Sequence, residues 1–124
     1  MALRTRQIPR HRWREELDSL SSSHEGWLVR VNVTSPNGAV ETAARDIPLR
    51  RVSALDNGEA IIAVDVGRDA TAQMTHEVLQ PVEVVVEETE TAAVASLIVR
   101  SADGTRTAVE FRSAMRPEEV DGVA

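Results

Sequence analysis

The stretch Trp27-Leu28-Val29-Arg30-Val31-Asn32-Val33-Thr34-Ser35-Pro36-Asn37-Gly38 decides the fold. Trp27, Val29, Val31 and Val33 fall on one side of an extended chain, with Leu28, Arg30 and Asn32 on the other, which is the period of a strand with one face buried. Asn37-Gly38 then supplies the dipeptide that accepts left-handed backbone at a hairpin. The same arrangement recurs at Asn57-Gly58 and Asp103-Gly104, each between two runs of alternating hydrophobicity. The chain after about residue 26 therefore reads as consecutive β-hairpins.

Reading each dipeptide as a two-residue turn sets a register. The first turn places Val33 opposite Thr42, Val31 opposite Ala44 and Arg30 opposite Arg45, a like-charge pair that costs stability. An acid or anion between them relieves it, or Pro36 extends the loop to three residues and shifts the register. Pro48 is expected to break the chain, after which residues 49–55 and 59–66 form the second hairpin. That turn pairs Arg50 with Asp65 and puts Arg51 beside Ile62, Val64 and Val66, where a guanidinium needs a partner, an exit or a bound anion. A loop over 67–73, a strand from Met74 to Leu79 and another over 82–88 follow. The last hairpin, 95–112, sets Ile98 opposite Val109. Strand 95–100 is apolar on both faces and Ile61 and Ile62 are adjacent, so the second face needs a cover.

Upstream, Pro9 followed by Trp13, Leu17 and Leu20 predicts a helix over 10–22, ended by Ser21-Ser22-Ser23 and Gly26. Its apolar stripe is the first candidate cover for the second sheet face, and a second copy of the chain is the other. The chain of 124 residues reads as one domain: helix 10–22, antiparallel β body 27–112, acidic tail 113–124. The fold class is mainly β (α+β by strict count), a small antiparallel barrel or strongly curved sheet of six to eight strands with the helix packed on it. It is similar in outline to Sm-like and SH3-like barrels, with a two-sheet sandwich as the alternative.

Composition excludes more than it identifies. There is no cysteine, which removes disulfides and thiolate chemistry. All fourteen basic residues are arginine, five of them within residues 1–14, where there is no acid. The remainder carries nine arginines against twenty acids, a net −11 that repels polyanions. With Trp13, Trp27 and Phe111 as the only aromatics, a base-stacking surface is not expected and nucleic acid is an unlikely partner. No apolar run suits a signal peptide or a membrane span, so a soluble, cytoplasmic chain is expected. The acidic cluster Glu83, Glu87, Glu88 and Glu90 reads as a solvated strand edge.

Catalytic and metal patterns fail. His76-Glu77 opens like a zinc-protease motif, but Gln80 stands at the fifth position, and His24-Glu25 has Leu28 there. No calcium loop, phosphate-cradling loop or nucleophile elbow is present. No cofactor and no metal are expected. The candidates that remain are binding residues. His24 and Trp27 sit in the connector His24-Glu25-Gly26-Trp27, readable as a packed corner or as an imidazole beside an indole over a cleft. His76 is the second imidazole, and Arg30, Arg45 and Arg51, with Arg10 and Arg14, are the anion candidates.

Several stretches together resemble a bacterial family, domain of unknown function fifty-three thirty-five: Ile8-Pro9 with Trp13, His24-Glu25-Gly26-Trp27, Arg45-Asp46-Ile47-Pro48-Leu49, Thr75-His76-Glu77, Ser101-Ala102-Asp103-Gly104-Thr105 and Asp121-Gly122-Val123. Arg50-Arg51-Val52 departs from it where members place glycine after the Pro-Leu pair. The resemblance implies no activity and carries over no site residue. The leading expectation is a non-enzymatic binding or assembly module that forms a homo-oligomer through an apolar sheet face, its protein partner unspecified. Anion or nucleic-acid recognition by the arginines is the alternative, and an enzyme using His24 or His76 a third.

Overall fold

Eight antiparallel strands and one helix are built by the computed structural model, which describes residues 3–56, 58–69 and 73–113. They are β1 (Arg4–Gln7), α1 (Trp13–His24, entered through a 3₁₀ turn at Arg10–Arg12), β2 (Leu28–Thr34), β3 (Val40–Asp56), β4 (Ala60–Gly67), β5 (Gln73–Leu79), β6 (Pro81–Glu88), β7 (Val94–Ser101) and β8 (Arg106–Ser113). All belong to one sheet in the order β1-β6-β7-β8-β2-β3-β4-β5, so β1 and β5 are edges; of the expected barrel or curved sheet, the sheet is open and no barrel closes. The sheet folds back until β4 lies against β6 and β5 against β7. Residues 114–124, which hold all but the first residue of the expected acidic tail, lie outside the described residues, and Ser113 ends β8.

The first turn takes the three-residue form in which Pro36 extends the loop, and the other two-residue registers are corrected in the same way. Ser35 N–H bonds to Ala39 O at 2.8 Å and Gly38 N–H to Ser35 O at 2.8 Å, a loop of three residues with Gly38 at φ 91°. Ser101 to Thr105 repeats it, with Gly104 at φ 94°. Asn37 and Asp103 each accept the N–H two residues on, to Ala39 at 3.0 Å and Thr105 at 2.9 Å. This is a type I turn closed by a left-handed residue, and the extra residue shifts every pair by one. Ile98 therefore faces Ala108, not Val109, and Val33 faces Glu41, not Thr42. The second hairpin is shifted likewise: Asp56 faces Ala60, so Asp65 meets Arg51 rather than Arg50. Arg51 thereby leaves the apolar face, which Val52 takes with Val64.

Two bulges then move the β2–β3 register by one residue each without breaking β3. The first restores Val31 opposite Ala44, and the second, with Asp46 at φ 48°, gives Arg30 no single opposite residue, so the Arg30–Arg45 clash never forms. Pro48 stays inside the strand, paired with Leu28. A strand of seventeen residues results, which pairs with β2 along its first half and β4 along its second.

One core holds the fold. Val29 and Val31, Leu49 and Val52, Ile62, Val64 and Val66, Val84 and Val86, and Leu97 and Val99 are buried together with Leu17, Leu20 and Trp13 of α1. Burying each such side chain stabilises by about 1.5–3 kcal/mol. The helix thus covers the concave core, while on the other face Ile98 and Ala108 are buried side by side in the sheet. The serine run does not end α1: Ser21 is buried within it, and the turn falls at Gly26, φ 88°. The basic N-terminal arm is partly strand β1, and Arg6 reaches Glu88 and Glu16 at 3.5 Å each. β6 is accordingly no solvated edge, because β1 pairs with it over Val85–Glu88.

Candidate functional site

His24 and Trp27 meet as a packed corner. Gly26 N–H bonds to Leu49 O and Leu49 N–H to Trp27 O, each at 2.8 Å, which ties the connector to β3 beside Pro48. The His24 ring lies 4.7 Å from Trp27 and 4.9 Å from Phe111, edge to face with both. Its Nδ1 lies 2.8 Å from Leu20 O, an acceptor only, so that nitrogen carries a proton and donates it. A buried imidazole committed in this way is built as a joint between helix, strand and sheet. Phe111 is the member that sequence reasoning left out, because only the β2–β8 register, Val29 opposite Phe111, brings it there.

His76 stands elsewhere, on edge strand β5 opposite Val64. Burial holds its pKa below the ordinary 6.5. It lines a cavity of about 200 Å³ with Val33, Glu77, Ser101, Asp103 and Thr107, so Thr75-His76-Glu77 and the Ser101–Thr105 turn come together in space. The one carboxylate of that turn is spoken for: the Thr105 backbone N–H, and then its hydroxyl, hold the exposed Asp103 carboxyl below the usual carboxylate range.

The arginines do not converge. Arg51 is exposed and lies 3.7 Å from Asp18 of α1. Arg45 is exposed at the bulge, and Arg30 faces Glu110 across the β2–β8 pair with its buried Nε unbonded among the described residues. At the start of the helix, Arg12 turns to Glu15 at 3.7 Å and Glu16 at 3.6 Å. Arg10 lies over the Trp13 ring, 5.1 Å from its centre. There, between the 3₁₀ turn and the end of β3, is a cavity of about 370 Å³ lined by Arg10, His11, Trp13 and Arg14 on one side and Ala54, Leu55, Asp56 and Ala60 on the other. Its strand residues carry no motif; they become a wall only because β3 continues past Pro48.

No helix of the described residues is long and apolar enough to cross a membrane, and no three His, Asp or Glu side chains among them form a metal-holding group. The class these features define is an antiparallel β domain whose single helix closes the core of an open, folded-back sheet. More particularly, the chain belongs to the family of unknown function DUF5335, whose family model matches residues 4–120. No curated protein and no solved structure matches the chain.

Proposed function

We propose that the chain is a non-enzymatic cytoplasmic binding and assembly module that pairs with a second copy through an apolar sheet face. One observation carries the reading: the register lines up Leu55, Ile61 and Leu79 across β3, β4 and β5 on the outer face. Leu55 is 43% and Leu79 59% exposed, and Val82, just past the β5–β6 corner, is 53% exposed. An exposed apolar row at the end of an edge strand is costly in water and marks a contact surface. Because the row is uncharged, it meets its own copy across a two-fold axis without like-charge repulsion.

Light scattering coupled to size-exclusion chromatography across a micromolar concentration series tests the proposal. The expected mass is about twice 13.6 kDa, and Leu79→Asp returns the chain to monomer with its far-ultraviolet circular dichroism unchanged. A monomer at every concentration overturns it, as does a dimer that Leu79→Asp leaves intact.

A further inference from the structure

The second half of β3 has a strand on one side only. β4 pairs with it from Leu49 to Asp56, whereas β2 leaves it at Pro48. On the open side α1 runs alongside, and the Ser21 hydroxyl lies 2.8 Å from both the N–H and the C=O of Val52. Antiparallel pairs alternate, so a residue that turns its backbone away from β4 is followed two positions later by another. Ala54 is that residue: its N–H and C=O point to the side where Ser21 meets Val52, and no described residue outside the sheet bonds to them. At this level the helix gives way to the 3₁₀ turn and the 370 Å³ cavity opens, within the size range of ligand pockets.

The walls select the occupant. Arg10, His11 and Arg14 face the cavity against one acid, Asp56. Arg12, on the same turn, is paired with Glu15 and Glu16, whereas no described residue forms an ion pair with Arg10 or Arg14. Trp13 lines the cavity as a buried ring with the Arg10 guanidinium over it. We propose that this cavity receives an acidic peptide in extended form, which adds to the edge of β3 at Ala54 and places a carboxylate between Arg10 and Arg14. An extended peptide presents its own N–H and C=O in the period that an open edge requires, with side chains alternating toward and away from the arginines. The proposal rests on the backbone edge and the two arginines; Leu55 is shared with the apolar row, and the Leu79→Asp chain, in which that row is broken, is expected to bind the peptide as the parent does.

The test uses the full chain and a fluorescently labelled, end-blocked hexapeptide of alternating valine and glutamate. Two relatives accompany it, one with glutamine for glutamate and one with alternate backbone nitrogens methylated. Fluorescence anisotropy is expected to show saturable binding of the acidic peptide, weakened by salt. The glutamine peptide, and the acidic peptide against Arg10→Glu or Arg14→Glu, are expected to bind about tenfold or more weakly, the scale of one charge-assisted hydrogen bond. The methylated peptide is expected not to bind, and the Ala54 amide is expected to gain protection from hydrogen exchange when the acidic peptide is present. Absence of binding overturns the proposal. So does equal binding of the glutamine or methylated peptide, which would reduce the site to an apolar cleft or a simple anion site, and so does tighter binding of a short single-stranded RNA.

Discussion

Replacing Ser21 by alanine tests how the helix is held to the sheet. The hydroxyl sits between Val52 N–H, from which it accepts at 2.8 Å, and two carbonyls, Leu17 O and Val52 O, either of which it can donate to at 2.8 Å. Val52 is fully buried beneath it. A buried donor left unbonded costs about 1–3 kcal/mol. Alanine returns about 0.5 kcal/mol through its better helix propensity. The net expectation is a loss of about 0.5–2.5 kcal/mol, seen as a urea midpoint lower by about 0.3–1.5 M with the slope unchanged. Ser22→Ala and Ser23→Ala, at exposed positions of the same helix, control for propensity and are expected to be neutral or slightly stabilising. Hydrogen exchange at Val52 gives a second readout, the amide being protected in the parent and faster by opening of the local contact in the variant. If Ser21→Ala lies within about 0.5 kcal/mol of the parent and Val52 stays protected, the hydroxyl does not cap this edge and the contact is apolar packing alone.

The turn chemistry and the half-buried imidazole give the remaining tests. The loop between β6 and β7 has the same hydrogen-bonded frame as the glycine turns, Thr89 to Ala93, but holds Ala92 at φ 65°. Ala92→Gly is expected to stabilise by about 0.5–1 kcal/mol in urea denaturation, the left-handed penalty relieved less the entropy glycine adds. Gly104→Ala is expected to cost about 1 kcal/mol through φ alone, since its added Cβ would meet Pro36 at an ordinary 3.6 Å; if neither variant moves, the turn conformation is wrong. For His76 the folded pKa lies below the unfolded 6.5, so the unfolded chain takes up its proton first as pH falls. Stability is therefore expected to drop as pH passes below 6.5 and to level off below the folded pKa, and His76→Asn should remove that part of the slope. Curves for parent and variant that stay parallel as pH falls from about one unit above 6.5 through the parent's decline would refute it.

What the sequence disclosed and what it concealed divide along one physical line. Local chemistry was legible: the Trp27–Val33 alternation became β2, the Trp13, Leu17 and Leu20 stripe became the buried side of α1, and each Asx-Gly dipeptide marked a real hairpin. Registers were not, beyond the Pro36 alternative at the first hairpin, because Asn-Gly and Asp-Gly fit both a two-residue loop and the last two positions of a three-residue loop, and the choice depends on what the flanking strands gain. At the second hairpin that choice removes Arg51 from the core and puts Val52 in its place, so burial of the second half of β3 favours the longer loop. Pro48 misled for a related reason. Proline lacks only one donor, and a position where the strand changes partners from β2 to β4 does not need it. Reading a break there hid the continuous seventeen-residue strand, and with it the open edge beside Arg10 and Arg14. The residues singled out for their chemistry, His24, Trp27, His76, Arg30, Arg45 and Arg51, are spread among a corner, a cavity and separate surface positions. The cavity with the most cations is walled instead by Ala54, Leu55 and Ala60, whose side chains carry no reactive group. Their contribution is the exposed backbone of a strand that outruns its neighbour, a property that belongs to the pairing and that no single residue records.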